Sequence, residues 1–244
     1  TFSLGLDVSY STHNRFLVDL TYRVGLVRNP RNGRITAQAQ GLASQGALSV
    51  RTFLDANANG KQDTGEKAVE RVGFLVNGAS HPGITDAKGV GLLTSLTADQ
   101  DANLAVVANT LEDPLMRPSI PGVRFTPRPG HTVLLDFPLV LVGEINGTVY
   151  WKNQDQVQEL PGLAVELVAV DGKVTHRVRT AYDGFYTLPE IPPGQYLLRI
   201  PEAELGRLGL ALVPPKEVRI SSDGTVIDGL NFLLVLTPTT KVKP

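Results

Sequence analysis

Apolar and polar residues alternate most strictly over the first 40 positions of the chain. Phe2, Leu4, Leu6, Val8 and Tyr10 interleave with Thr1, Ser3, Gly5, Asp7 and Ser9. After the polar turn Ser11-Thr12-His13-Asn14 the alternation resumes through Phe16, Val18, Leu20, Tyr22, Val24 and Leu26. A second turn, Asn29-Pro30-Arg31-Asn32-Gly33, leads into Arg34 to Gln40, alternating through Ile35, Ala37 and Ala39. Successive side chains of an extended chain face opposite ways, so this period predicts strands, and the intervening turn residues predict hairpins. Residues 1–46 therefore read as an antiparallel meander of three strands, each of about ten residues. Strands of that length, apolar on one face and small or polar on the other, suit the last portion of a transmembrane β-barrel. Three strands are too few to close one. A meander with one face on an ordinary core fits the same pattern.

From Ala47 onward the pattern divides into two related units. Thr85-Asp86-Ala87-Lys88-Gly89 followed by an apolar run matches Thr180-Ala181-Tyr182-Asp183-Gly184 followed by Phe185 to Leu188, 95 residues later. Leu48 to Phe53 and Asn146 to Trp151 open the units with similar strands, and the period suits sandwiches of about 100 residues. The boundary is placed near Leu141-Val142-Gly143, giving 47–141, 142–237 and a polar tail 238–244. In the second unit, strands are expected at Gly147–Trp151, Ala164–Val170, Thr175–Thr180, Gly184–Leu188, Gly194–Ile200, Lys216–Ile220 and Leu230–Leu236. Turns such as Asp171-Gly172 and Asp223-Gly224 separate them. Pro201 to Leu210 is the one helical-looking insert. The expected fold class is all-β: two tandem immunoglobulin-like sandwiches preceded by the meander.

Composition narrows the function. With 23 basic and 24 acidic residues the formal net charge is −1, so no field draws the chain to nucleic acid. No apolar run is long enough for a transmembrane helix, and contact with a membrane is expected only through residues 1–40 as part of a larger barrel. Cysteine is absent, which removes disulfides, thiolate metal sites and thiol nucleophiles. The chain starts at Thr1 and is read as part of a longer processed protein.

The strongest chemical signal lies between Asp55 and Glu66. Asp55, Asn57, Asn59, Asp63 and Glu66 stand at positions 1, 3, 5, 9 and 12 of a 12-residue stretch with Gly60 at position 6. That is the ligand order of a calcium loop: hard oxygens surround the ion, the glycine allows the sharp turn and the final glutamate binds through both oxygens. Lys61, at position 7, would offer its backbone carbonyl. Asn, Asp and Gly also dominate ion-free turns, but the matched spacing favours Ca2+. Leu48–Leu54 leads in and Val72–Val76 leads out, both strand-like, so the ion would clip a link between strands rather than between helices. The loop's few carboxylates, opposed by Lys61, suit an affinity on the order of 10⁻⁴–10⁻³ M and a structural ion.

Val50 to Glu66 resembles the opening of the calcium-binding B-type repeat of staphylococcal serine-aspartate surface proteins, a resemblance covering about 40 residues. Asp183-Gly184-Phe185-Tyr186 and Ile191-Pro192-Pro193-Gly194-Gln195-Tyr196 are similar to carboxypeptidase-regulatory-like and collagen-adhesin B-type domains. These resemblances imply prealbumin-like sandwiches with structural or binding roles. Alternating strands followed by two small sandwiches also resemble the C-terminal end of outer-membrane ushers, which implies chaperone–pilin partners. The collagen-adhesin resemblance raises an isopeptide bond between Lys152 and Asn231, although the acid it requires is missing from the Arg199–Pro201 neighbourhood.

Enzyme readings find no footing. His13, His81, His131 and His176 lie apart at no ligand spacing, and there is no nucleophile elbow or phosphate loop. Trp151 beside Tyr150 could stack a sugar, but it reads more simply as a core or rim residue, since neighbours in a strand face opposite ways. The expected function is thus a non-enzymatic, calcium-bearing segment of a bacterial cell envelope. It would bind other proteins, such as chaperone–pilin subunits or other surface proteins, at the outer membrane, periplasm or cell surface. The alternatives are an adhesin stalk and a carbohydrate-binding module.

Overall fold

The computed structural model describes residues 3–13, 16–39, 44–153 and 156–237. It is all-β, and the chain divides into two compact units. The first takes residues 1–114 and 118–139, the second 115–117 and 140–244.

In the first unit the N-terminal alternation forms β1 (Ser3–Ser9), β2 (Leu17–Arg23), β3 (Gly25–Arg28) and β4 (Ile35–Gln38). β1 pairs with β2 and β3 with β4, in two separate two-stranded sheets. The expected three-strand meander is thereby corrected: its second strand breaks at Val24 and serves two hairpins. The reason lies on the odd-numbered face. Gly25 and Val27 are buried, and Asn29 just beyond them accepts a 2.7 Å hydrogen bond from the buried Ser49 hydroxyl. The same face of β2 is largely exposed.

Ser49 belongs to β5 (Gln45–Leu54), the centre of the first sandwich. The unit continues through β6 (Gly73–Val76), β7 (Ala79–Ile84), β8 (Val90–Thr97) and β9 (Ala102–Val106), then, after β10 (Met116–Pro118), which falls mostly in the second unit, through β11 (Val123–Phe125) and β12 (Thr132–Leu141). One sheet of this unit runs β12-β5-β8, with β12 parallel to β5, and the other β11-β9-β6-β7. Leu48, Val50, Phe53, Phe74, Leu93, Leu104, Phe137 and Leu139 are fully buried. β5 is enclosed on both faces along most of its length, because the β3–β4 turn covers its outer side. There Arg31 and Arg51 both donate to Asp136 across 2.6–3.0 Å, and Asn32 donates to Asp86.

The second unit comprises β13 (Gly143–Asn153), β14 (Gln156–Glu159), β15 (Ala164–Ala169), β16 (Val174–Arg179), β17 (Phe185–Ile191), β18 (Gly194–Arg199), α1 (Glu202–Arg207), β19 (Lys216–Ile220), β20 (Val226–Ile227) and β21 (Phe232–Val235). β13 pairs with β14 and β17 antiparallel and with β20 and β21 parallel; the facing sheet runs β16-β15-β18-β19. Between them pack Ile145, Val149, Leu163, Leu167, Tyr186, Leu198 and Phe232. Burial raises the Tyr186 hydroxyl above its ordinary pKa, and it donates to the Leu230 carbonyl at 2.5 Å. The expected helical insert is present as α1, anchored by buried Leu205. The tail from residue 238 lies outside the described residues.

The two units repeat one backbone hydrogen-bond pattern. In the first, Thr52 N donates to Gly89 O, Val69 N to Thr52 O, Arg71 N to Thr85 O and Thr85 N to Val72 O. In the second, Val149 N donates to Gly184 O, Leu160 N to Val149 O, Gly162 N to Thr180 O and Thr180 N to Leu163 O. The threonine hydroxyls match as well. Thr85 Oγ1 accepts from Val72 N and donates to Val69 O; Thr180 Oγ1 accepts from Leu163 N and donates to Leu160 O. The spacing breaks in one place: Thr52 and Val69 are 17 residues apart, whereas Val149 and Leu160 are only 11. The extra residues fall in the oxygen-rich loop.

Candidate metal centre

Strand β5 ends at Leu54, and the Asp55 N–H donates to the Leu139 carbonyl of β12 at 2.7 Å, fixing where the loop departs. Its return is fixed equally well. Leu54 N donates to Lys67 O, Phe53 bridges Ala68, and Val69 N donates to Thr52 O. The loop 55–66 is thus closed at its base on β5 before the chain crosses to β6 in the opposite sheet. Strand leads in and extended chain leads out, as the flanking pattern predicts.

Asp55 is the buried member, 1% exposed, while the rest of the loop is largely open to solvent. Its two carboxylate oxygens accept from Asn59 N at 3.1 Å and Gly60 N at 2.7 Å. Asn57 Oδ1 also accepts from Asn59 N, and Asn59 Oδ1 from Lys61 N. The amide groups of Asn57 and Asn59 both donate to Asp63 Oδ2, at 2.8 and 2.6 Å. Those two bonds hold the Asp63 carboxyl below its ordinary pKa. Glu66 closes the ring: one carboxylate oxygen accepts from Ala56 N, the other from Asp63 N, both at 2.9 Å. Gly60 has φ +76° and Ala58 φ +56°, so the turn uses the left-handed region at both positions.

All six expected positions, Asp55, Asn57, Asn59, Lys61, Asp63 and Glu66, are therefore drawn into one hydrogen-bonded loop. Among the described residues no three His, Cys, Asp or Glu side chains group closely enough to hold an ion by themselves. Coordination would need the neutral oxygens of Asn57, Asn59 and the Lys61 carbonyl beside the carboxylates. Such an all-oxygen, mixed-charge donor set fits Ca2+ rather than zinc or copper. A carboxylate or carbonyl oxygen already accepting one N–H keeps a lone pair for a cation; Asp63, whose Oδ2 accepts two, would offer Oδ1. Ala58 is the position that sequence reasoning passed over; alanine carries no mark of a left-handed backbone.

Elsewhere the register separates the pair considered for an isopeptide bond. Lys152 lies beside Val235, while Asn231 Oδ1 accepts from Thr148 N. Trp151 is partly buried against the second core. His81 lies in β7, its Nδ1 accepting from Gly83 N, and His176 lies in β16, where burial lowers its pKa.

No family model matches the chain, and no curated protein matches it. Among solved structures it is similar to the Bacillus anthracis TIE protein, at 14% identity and TM-score 0.35, covering 97% of this chain and 42% of that one. It is similar to a minor pilin of Streptococcus agalactiae at 12% identity and TM-score 0.40, covering 82% of this chain and 99% of that one. It is also similar to the shaft pilin SpaA from Lactobacillus rhamnosus GG at 10% identity and TM-score 0.31, covering 79% and 98%. At these values the likenesses carry no argument about function. What fold and loop define together is a class: an all-β protein of tandem sandwiches, one carrying an oxygen-rich loop where its counterpart has a short hairpin.

Proposed function

We propose that the chain is a non-enzymatic structural and protein-binding segment of a bacterial cell envelope, with a structural Ca2+ in the first sandwich. The observation that supports this most is the loop 55–66: a donor set in calcium-binding order, closed at its base by the bonds that pin β5 to Lys67–Val69. In its finer form, the sandwiches belong to an usher-like outer-membrane protein and meet chaperone–pilin subunits. The N-terminal alternating hairpin favours that placement, and β19, at the margin of its sheet, offers an edge for an added strand.

The calcium part is tested by melting. At 10 mM Ca2+ and an affinity of about 10⁻⁴–10⁻³ M, binding adds roughly 1.4–2.7 kcal/mol to the first unit. Its Tm should then rise by several degrees on adding Ca2+, fall back with chelator, and stop responding in Asp55→Ala and Glu66→Ala. A Tm indifferent to both Ca2+ and chelator in the intact chain overturns the reading.

A further inference from the structure

The first hairpin has a face that nothing in the first sandwich requires. In β1–β2 the register sets Leu4 against Tyr22, Leu6 against Leu20 and Val8 against Val18, all on one face and all at least 60% exposed. At the tip the rings of Tyr10 and Phe16 meet at 5.2 Å between centroids, both more than 65% exposed. The face continues past the strand break through Val24 and Leu26, at 48% and 69% exposure. It is bounded by Arg28 at one end and the Ser11–His13 turn at the other. So much contiguous apolar surface exceeds what a soluble monomer leaves to water.

We propose that this face lies against the acyl chains of a lipid bilayer, with the opposite face turned away from lipid. The inference deepens the outer-membrane form of the function proposed above and rests on it. Charge sorting decides the occupant. Between Leu4 and Leu26 every even-numbered described position on these strands is uncharged, while Asp7, Asp19 and Arg23 all stand on the other face. Asp7 and Asp19 are directly paired, an arrangement that repels and that needs water or a cation beside it. Leu17 is the one apolar residue on that side. Length sets the depth: Phe16 to Val24, up to the strand break, covers roughly 27 Å of extended chain. At a tilt of about 40° that spans roughly 21 Å, most of the ~25 Å apolar band of a membrane β-barrel, whose rims carry aromatic girdles. A surface built for a second protein would carry a charged or polar rim along its sides; this one carries its polar groups only at its ends.

Because the chain has no cysteine, single cysteines introduced by substitution give an unambiguous test. The full chain, reconstituted with phosphatidylcholine vesicles, would be labelled with an environment-sensitive fluorophore at Leu4→Cys, Gly5→Cys, Leu6→Cys, Asp7→Cys, Val8→Cys and Ser9→Cys. Acyl-chain doxyl quenchers should reduce emission at least twofold at 4, 6 and 8 and leave 5, 7 and 9 nearly unchanged. Leu6→Asp with Leu20→Asp should abolish co-flotation with vesicles, while Asp7→Ser should not. Uniform quenching, or none, overturns the inference. So does a lipid-free dimer in which the labels at 4, 6 and 8 are the ones shielded, since a second copy then covers the face. The calcium-dependent melting of the first sandwich is independent of these outcomes, so failure here is distinguishable from failure of the calcium-bearing envelope reading.

Discussion

Gly89 and Gly184 sit at matching points of the two units with φ of +69° and +70°. A Cβ on Gly89 would press into the Thr52 carbonyl, and one on Gly184 would lie 2.7 Å from the Val149 carbonyl. These carbonyls belong to the paired strands themselves and have nowhere to move. Gly89→Ala and Gly184→Ala should therefore each cost more than about 2 kcal/mol in urea unfolding, through strain and overpacking together. Arg71 and Gly162 also match, with φ of +61° and +73°. Here no such clash exists at the glycine. Arg71→Gly should raise stability by up to about 1 kcal/mol, and Gly162→Ala should lower it by a similar amount. A large loss on Arg71→Gly would mean that the arginine side chain matters. Asp63 gives the residue-scale test of the loop. Its carboxyl is held below the ordinary 3.8 by bonds from Asn57 and Asn59. A depressed carboxylate contributes stability above its unfolded pKa and loses it as pH falls through the folded value. An NMR titration should place the Asp63 midpoint below 3.8, and Asn57→Ala with Asn59→Ala should move it upward.

At the scale of elements, the loop 55–66 is an insertion into a connection that both units share. In the second unit β13 turns directly into β14; in the first, the equivalent return at Lys67–Val69 is reached only after the loop. The closing bonds Val69 N to Thr52 O and Leu54 N to Lys67 O do not involve the loop's ligand side chains. Shortening 55–66 to a hairpin turn should accordingly leave a folded sandwich by circular dichroism, with its melting no longer sensitive to Ca2+. Loss of folding would instead make the loop part of the core's closure. Legibility followed the same division. The closed loop could be read because a turn held by Asn, Asp and Glu side chains needs those residues at particular places. The Thr85/Thr180 repeat could be read because a threonine hydroxyl and a glycine turn leave marks in sequence. Val69 and Leu160, which join that pattern only through backbone atoms, could not. β14, Gln-Val-Gln-Glu with every residue exposed, has no buried face to produce alternation. The break at Val24 was hidden because Gly25 and Val27 are buried on the face that looked like the dispensable one.

Over the whole molecule, two sandwiches of one hydrogen-bond design carry different loops, and among the described residues only the first carries the oxygen-rich loop proposed to hold a cation. Calcium should therefore act on one unit alone. The most direct measurement is a Ca2+ titration of the intact chain followed through backbone amides, above all Gly60 N–H, which donates to the buried Asp55 carboxylate at 2.7 Å. Expected is a single saturable site with a midpoint of about 10⁻⁴–10⁻³ M, shifts concentrated in residues 55–66 and their β5 and Lys67–Val69 flanks, and a quiet second unit. Amides of that loop that stay still up to about 10 mM Ca2+, ten times the weaker end of that range, would contradict it.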